Sequence, residues 1–176
     1  MRLFLAIDFN ELSDYFKELQ NKLPKNGRLS LSRTFHLTLK FLGDVQPDAS
    51  DKILSILKTI KFTKFTVFLD SIGVFPNENH IRVVWVDLKP QDRILNLQHQ
   101  IDESLRLLFK QDKDFKAHIT LARVKYPEDK KSFIEHLGKI EVQNKKIEIT
   151  QFKLIKSILA QKSPVYEDLA VYHYSN

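Results

Sequence analysis

The sequence predicts an α+β fold made of two related lobes, and three observations predict it. The pattern His-x-Thr occurs twice in apolar surroundings, as His36-Leu37-Thr38 and His118-Ile119-Thr120. Each copy is followed by a stretch of helical periodicity and then by two stretches of strand character, which reads as an internal duplication. No linker or low-complexity tract separates the copies, so mixed or antiparallel sheets with helices outside them are the expected packing.

Taken in order, Arg2 to Phe9 is apolar and aromatic enough for a buried strand, and Asn10 is placed to cap a helix from Glu11 to about Lys22. Leu12, Tyr15, Phe16, Leu19 and Leu23 fall at helical spacing, and Pro24-Lys25-Asn26-Gly27 closes that helix. Leu29 to Thr34 leads into the strand of His36 and Thr38, which Gly43-Asp44 ends. Pro47 opens a second helix reaching about Lys61, with Ile53, Leu54, Ile56, Leu57 and Ile60 as its apolar stripe. Strands Phe65 to Val74 and Ile81 to Leu88 follow, joined by a turn at Pro76-Asn77-Glu78-Asn79. A long helix from about Gln91 to Phe109 places Ile94, Leu97, Ile101, Leu105 and Leu108 at core spacing. The second His-x-Thr strand runs from about Lys116 to Val124, and Pro127 introduces a helix through Leu137 that Gly138 terminates. Lys145 to Leu159 and Val165 to Tyr174 read as the final antiparallel pair, joined by Ala160-Gln161-Lys162-Ser163-Pro164.

Composition narrows the chemistry. With 176 residues, 43% hydrophobic and 28% charged, the chain has the makings of a soluble globular domain that buries most of its apolar surface, and a monomer is expected. No run approaches the roughly 18 apolar residues of a membrane span, and the first strand is too short and too soon acidic for a secretory signal. The absence of cysteine excludes disulfides, thiolate metal sites and a cysteine nucleophile, and fits a cytoplasmic location. A net charge of +6 favours anionic partners such as RNA or phosphate esters. Four glycines form no phosphate-cradling loop, and no Gly-x-Ser-x-Gly elbow is present.

Alternation along a strand puts His36, Thr38 and Lys40 on one face and Leu37, Leu39 and Phe41 on the other. A neutral imidazole accepts a proton and an imidazolium donates one, so His36 and His118 facing each other form a general acid and general base for one phosphorus centre. Thr38 and Thr120 then offer hydroxyl donors to phosphoryl oxygens. Neither metal nor cofactor is required.

These residues resemble the 2H phosphoesterase superfamily, and within it the RNA 2′,3′-cyclic phosphodiesterases once described as 2′-5′ RNA ligases. Arg2 to Asp8 is similar to that family's opening strand, His36 to Gly43 to its first motif and Arg82-Val83-Val84-Trp85 to its mid-chain strand. His118 to Arg123 resembles the second motif, and Phe152 to Tyr166 the closing hairpin. The resemblance implies residues 1–176 as one domain of two interleaved, pseudo-symmetric lobes, one motif each, around a central cleft. It also implies metal-independent hydrolysis of a terminal 2′,3′-cyclic phosphate to a 2′-phosphomonoester, the substrate being an RNA end or nucleotide. In-line attack by water opposite O3′ needs acid and base on opposite sides, with His36 as the proton donor and His118 as the acceptor. Two rivals share the cleft: reversible 2′-5′ RNA ligation, with a ribose hydroxyl replacing water, and a non-catalytic module that binds RNA ends. Ala117 and Ser163 depart from the family, which often has Pro before the second His and Gly-Pro in the last hairpin.

Arg123 matches a frequent family arginine and is a candidate phosphate ligand, yet strict alternation sets it with Ile119 and Leu121, away from His118, so a bulge or strand end is needed. Lys40 shares the face of His36 and is a second candidate, with a solvated strand-end lysine as the ordinary alternative. Tyr166 is the aromatic kept for base stacking. For Phe35, Phe41, Phe75, Trp85 and Tyr126 core packing is the expected fate, since thirteen phenylalanines must mostly fill cores. His80, His99, His136 and His173 form no spaced metal-ligand pair.

Overall fold

The computed structural model describes residues 1–160 and 164–175. Along them run β1 (Arg2–Asp8), α1 (Ser13–Asn21), β2 (Gly27–Leu31), β3 (His36–Asp44), α2 (Pro47–Leu57), β4 (Phe65–Asn77) and β5 (His80–Lys89). The chain continues with α3 (Asp92–Ser104), β6 (Ile119–Pro127), α4 (Lys130–Leu137), β7 (Lys146–Ile149), β8 (Gln151–Ile158) and β9 (Val165–His173). No helix among the described residues is long and apolar enough to cross a membrane.

Two antiparallel sheets result, one of order β3-β1-β8-β9 (lobe A) and one of order β2-β6-β5-β4-β7 (lobe B). The halves of the chain are exchanged between them. The first half supplies β1 and β3 to lobe A but sends β4 to pair with β5 in lobe B, and the second half returns β8 to pair with β1 in lobe A. Helices are traded as well: α1 packs on β6, and α3 packs on β3. Consequently one hydrophobic core spans both sheets, with Leu3, Leu5, Leu37 and Leu39 from lobe A and Val84, Val86, Ile119 and Leu121 from lobe B in it. The apolar face of α1 buries Tyr15, Phe16 and Leu19, each contributing roughly 1.5–3 kcal/mol.

Several boundaries differ from those the sequence predicts, each for a physical reason. Asn10 caps no helix: a 3-10 turn occupies Asn10–Leu12, and the Asn10 Oδ1 accepts the backbone N–H of Phe35 at 2.9 Å, tying β1 to the entry of β3. The third helix stops at Ser104 rather than Phe109, its last turns loosening where Leu107 is exposed. Pro127 ends β6 instead of opening a helix, and Asp129 caps α4 by accepting the N–H groups of Lys131 and Ser132. Residues 145–159 are two strands in different sheets, β7 on β4 and β8 on β1, with Thr150 between them. Leu29 belongs to β2, which adds itself to the free side of β6. Gln161, Lys162 and Ser163 of the expected last turn lie outside the described residues.

Candidate active site

Both motifs carry the same irregularity. Where β3 pairs with β1, Thr38 faces Ala6 and Lys40 faces Leu5, leaving Leu39 as an extra residue. Where β6 pairs with β5, Thr120 faces Trp85 and Ala122 faces Val84, leaving Leu121 extra. A bulge flips the alternation beyond it. Lys40 and Ala122 therefore turn to the core, and Phe41 and Arg123 turn to the side of the His-Thr pairs.

That flip corrects two expectations at once. Lys40 does not face the site: it is 2% exposed, its Nζ paired with the Asp102 carboxylate and donating to Lys110 O at 2.9 Å, with Asp112 at 3.4 Å. Arg123 does face the site, through the bulge its placement required. Buried Gln20 secures the bulge of β6, its Nε2 donating to Leu121 O and to Ser32 O at 2.8 Å each.

A cleft of about 990 Å³ separates the lobes and is lined by His36, Thr38, His118, Thr120, Arg123 and Tyr166. The histidines are close enough for the charge of His118 to lower the pKa of His36. Among the described residues neither threonine hydroxyl has a protein partner, so both are available to a ligand. No three His, Asp or Glu side chains among these residues gather to hold a metal ion.

In lobe A, His36 is walled by Phe4 (ring centroids 5.2 Å apart) and by Tyr166 (5.5 Å, edge-on). Phe4 in turn packs on Tyr166 and on Phe41, which is 72% exposed at the cleft. Asp8 pairs with His36 in the β1–β3 register, and its carboxylate also accepts from Lys153 Nζ at 2.9 Å. Lys153 reaches Asp168 as well, at 2.8 Å. Burial dominates the titration of His36 and pushes its pKa down to about 4; the Asp8 carboxylate opposes this and His118 reinforces it.

In lobe B, Phe75 meets His118 edge-on at 4.8 Å and Trp85 stacks on Phe75 at 4.7 Å. The indole fits only because Gly73 lies beneath it; a Cβ there would stand 2.3 Å from the ring. The His118 Nδ1 lies 2.7 Å from Lys116 O. A carbonyl only accepts, so Nδ1 carries the proton and Nε2 presents its lone pair to the cleft when the ring is neutral. Burial lowers the pKa of His118; the Lys116 carbonyl opposes that shift, and the Arg123 guanidinium adds to it. Arg123 is also felt by Tyr166 of the facing lobe, whose phenol burial raises.

The structure therefore assembles His36, Thr38, His118, Thr120, Arg123 and Tyr166 and leaves Lys40 out. Phe35 is core, as expected, whereas Phe41 and Tyr126 are exposed. Sequence reasoning missed Phe4 and the run Ser30 to Thr34, which lines the cleft from the β2–β3 connection. Phe4 was hidden because most of β1 is apolar on both faces, so alternation gave no contrast.

Comparison with known proteins follows the same duplication. The family described as LigT like Phosphoesterase matches twice, at residues 7–85 and 86–166. An RNA 2′,3′-cyclic phosphodiesterase of Archaeoglobus fulgidus is 33% identical, covering 98% of this chain and 99% of the relative. One of Methanocaldococcus jannaschii is 34% identical over 95% of this chain and 97% of its own. Among solved structures, Escherichia coli LigT complexed with 3′-AMP superposes with a TM-score of 0.77 at 25% identity, covering 99% of this chain and 98% of that one. A protein of Thermus thermophilus gives 0.78 at 29% identity, covering 98% and 97%. Matched in both halves and along nearly its whole length, the chain belongs to the LigT-like phosphoesterases of the 2H superfamily.

Proposed function

We propose that this protein hydrolyses the terminal 2′,3′-cyclic phosphate of RNA to a 2′-phosphomonoester, with His36 and His118 as its acid and base. The observation that carries the proposal is that two His-Thr pairs, one from each lobe, line a single cleft. The activity named for the full-length relatives supports the substrate class, and so does the complex of LigT with 3′-AMP. Residues 1–176 act as one catalytic unit in this reading, because each half completes the other's sheet.

His118 accepts the proton of water through Nε2 as the water oxygen bonds to phosphorus. The P–O3′ bond breaks, and His36 delivers its proton to O3′, leaving a 3′-hydroxyl and a 2′-phosphate. The Nδ1–H bond to Lys116 O supports the base role by fixing the tautomer of His118. Burial is the larger influence on both rings and holds the pKa of His36 at about 4; among the neighbouring charges, Asp8 favours the imidazolium of His36 and Arg123 disfavours that of His118, in the sense of this division. Burial depresses both imidazoles, and an anionic phosphodiester held between them would raise both. Thr38 and Thr120 donate to the non-bridging oxygens, Arg123 balances their charge, and Tyr166 with Phe41 forms an aromatic surface for the base.

The test is incubation of chelator-treated protein with an oligoribonucleotide ending in a 2′,3′-cyclic phosphate. Formation of a 2′-phosphate end is the expected result. No turnover, or a 3′-phosphate product, overturns the proposal.

A further inference from the structure

Among the described residues β2 has no counterpart in lobe A. Lobe A ends at β3, with the motif strand at its edge, whereas lobe B carries β2 beyond its motif strand β6. Opposed residues of an antiparallel pair project from the same face. Ser30 opposes Arg123, and both line the cleft, so this rung belongs to the cleft face. Leu29, which opposes Val124, packs against the core on the other face. The register then shifts, leaving Lys125 as an extra residue in β6, and this second bulge brings Tyr126 opposite Arg28, which alternates with Leu29 along β2 and so shares the face of Ser30. At about 3.3 Å per residue this rung stands roughly 7–10 Å beyond Arg123, the scale of one extended nucleotide.

The side chains at this rung suit an RNA chain. Tyr126 is 55% exposed, and Arg28 makes no hydrogen bond or ion pair with the described residues. The opposite rim offers less: Arg2 there is paired with the Asp44 carboxylate at 3.4 Å, which repels phosphate. Ser30, Ser32 and Thr34 line the path between the catalytic floor and the Arg28–Tyr126 rung with hydroxyls.

We infer that Arg28 and Tyr126 form a binding subsite for the nucleotide on the 5′ side of the cyclic-phosphate end, Tyr126 stacking on its base and Arg28 meeting its phosphate. The inference rests on the RNA reading of the cleft and extends it. A substrate that ends at one nucleotide does not reach the rung; an oligoribonucleotide does.

The experiment compares kcat/KM for a 2′,3′-cyclic mononucleotide and for a tetranucleotide with the same end, in wild type and in the Arg28→Ala and Tyr126→Ala variants. The wild type is expected to favour the tetranucleotide, and each variant to lower that preference roughly tenfold. The slope of log affinity against log salt, read by anisotropy of a labelled oligoribonucleotide with a 2′-phosphate end, is expected to fall by about one in Arg28→Ala. An unchanged preference in both variants overturns the subsite, and so does an equal loss on both substrates. Turnover of the mononucleotide by wild type is a separate check on the parent reading, and the anisotropy arm reads the subsite whichever way that check falls.

Discussion

The two lobes hold the same motif against different walls. In lobe B the position beside Thr120 is Trp85, and across β5 from it lies Gly73; in lobe A the matching positions are Ala6 and Lys153. His118 thus leans on an aromatic stack, while His36 has Phe4, Tyr166 and an ion cluster of Asp8, Lys153 and Asp168. Beyond the bulges the contrast reverses, with Phe41 presented by lobe A and Arg123 by lobe B. Symmetric backbones therefore set the two imidazoles in unlike surroundings: the strand geometry is repeated and the neighbours differ, which is the asymmetry that the proposed division of labour between acid and base requires.

Removing either imidazole is the hardest test of that division of labour. His36→Ala and His118→Ala are each expected to lose about 10²–10⁴ in kcat with nearly unchanged thermal transitions. The double variant is expected to fall little further, because the pair acts as a unit. Full activity in either single variant would break the comparison.

Next in size is the core residue that only lobe A has. Lys40→Ala makes β3 resemble β6, where Ala122 stands, but strands the Asp102 carboxylate in the core. A loss of about 3–5 kcal/mol in denaturant unfolding is expected. Adding Asp102→Ala should return part of it, since the unpaired charge is then gone.

Gly73→Ala probes the wall of lobe B. The added methyl must displace Trp85, and with it the stack behind His118. Overpacking of this kind costs about 1–3 kcal/mol, and kcat should drop while KM for a mononucleotide stays near its wild-type value.

The gentlest probe is pH. His36 has a folded pKa of about 4, below the ordinary 6.5, and His118 is shifted the same way. Between those values the unfolded chain binds protons that the folded one does not, so stability falls as pH drops from about 6.5 towards 4. His36→Gln should flatten that loss in thermal unfolding. A bell-shaped kcat/KM profile is expected to peak on the acid side of 6.5, with kcat displaced to higher pH because bound phosphate favours both imidazolium forms. A profile identical for both constants would contradict the charge coupling.

Much of this was legible in the sequence because a period of two and a period of 3.6 leave distinct marks, and a repeated motif doubles them. The α+β class, the helices and the four His and Thr side chains that meet at the cleft followed from those marks. The bulges did not, since Leu39 and Leu121 look like any buried strand residue, and Lys40 was misplaced for that reason alone. The division of residues 145–159 between two sheets was equally silent, because Thr150 is compatible with an unbroken strand. Partners distant in sequence, such as Asp102 for Lys40 or Gly73 for Trp85, carry no local signature at all.

Thr150 sets one further property of the molecule. The chain passes from β7 in one sheet to β8 in the other through this single residue. A second short tie, the four residues from Ser32 to Phe35, joins β2 to β3 across the same boundary. Neither tether has slack, so covalent length works together with the shared core to limit how far the two His-Thr pairs can move apart. Lengthening the Thr150 tether by a few glycines would turn a fixed span into a hinge, and the enzyme would then have to find its reactive geometry anew at each turnover.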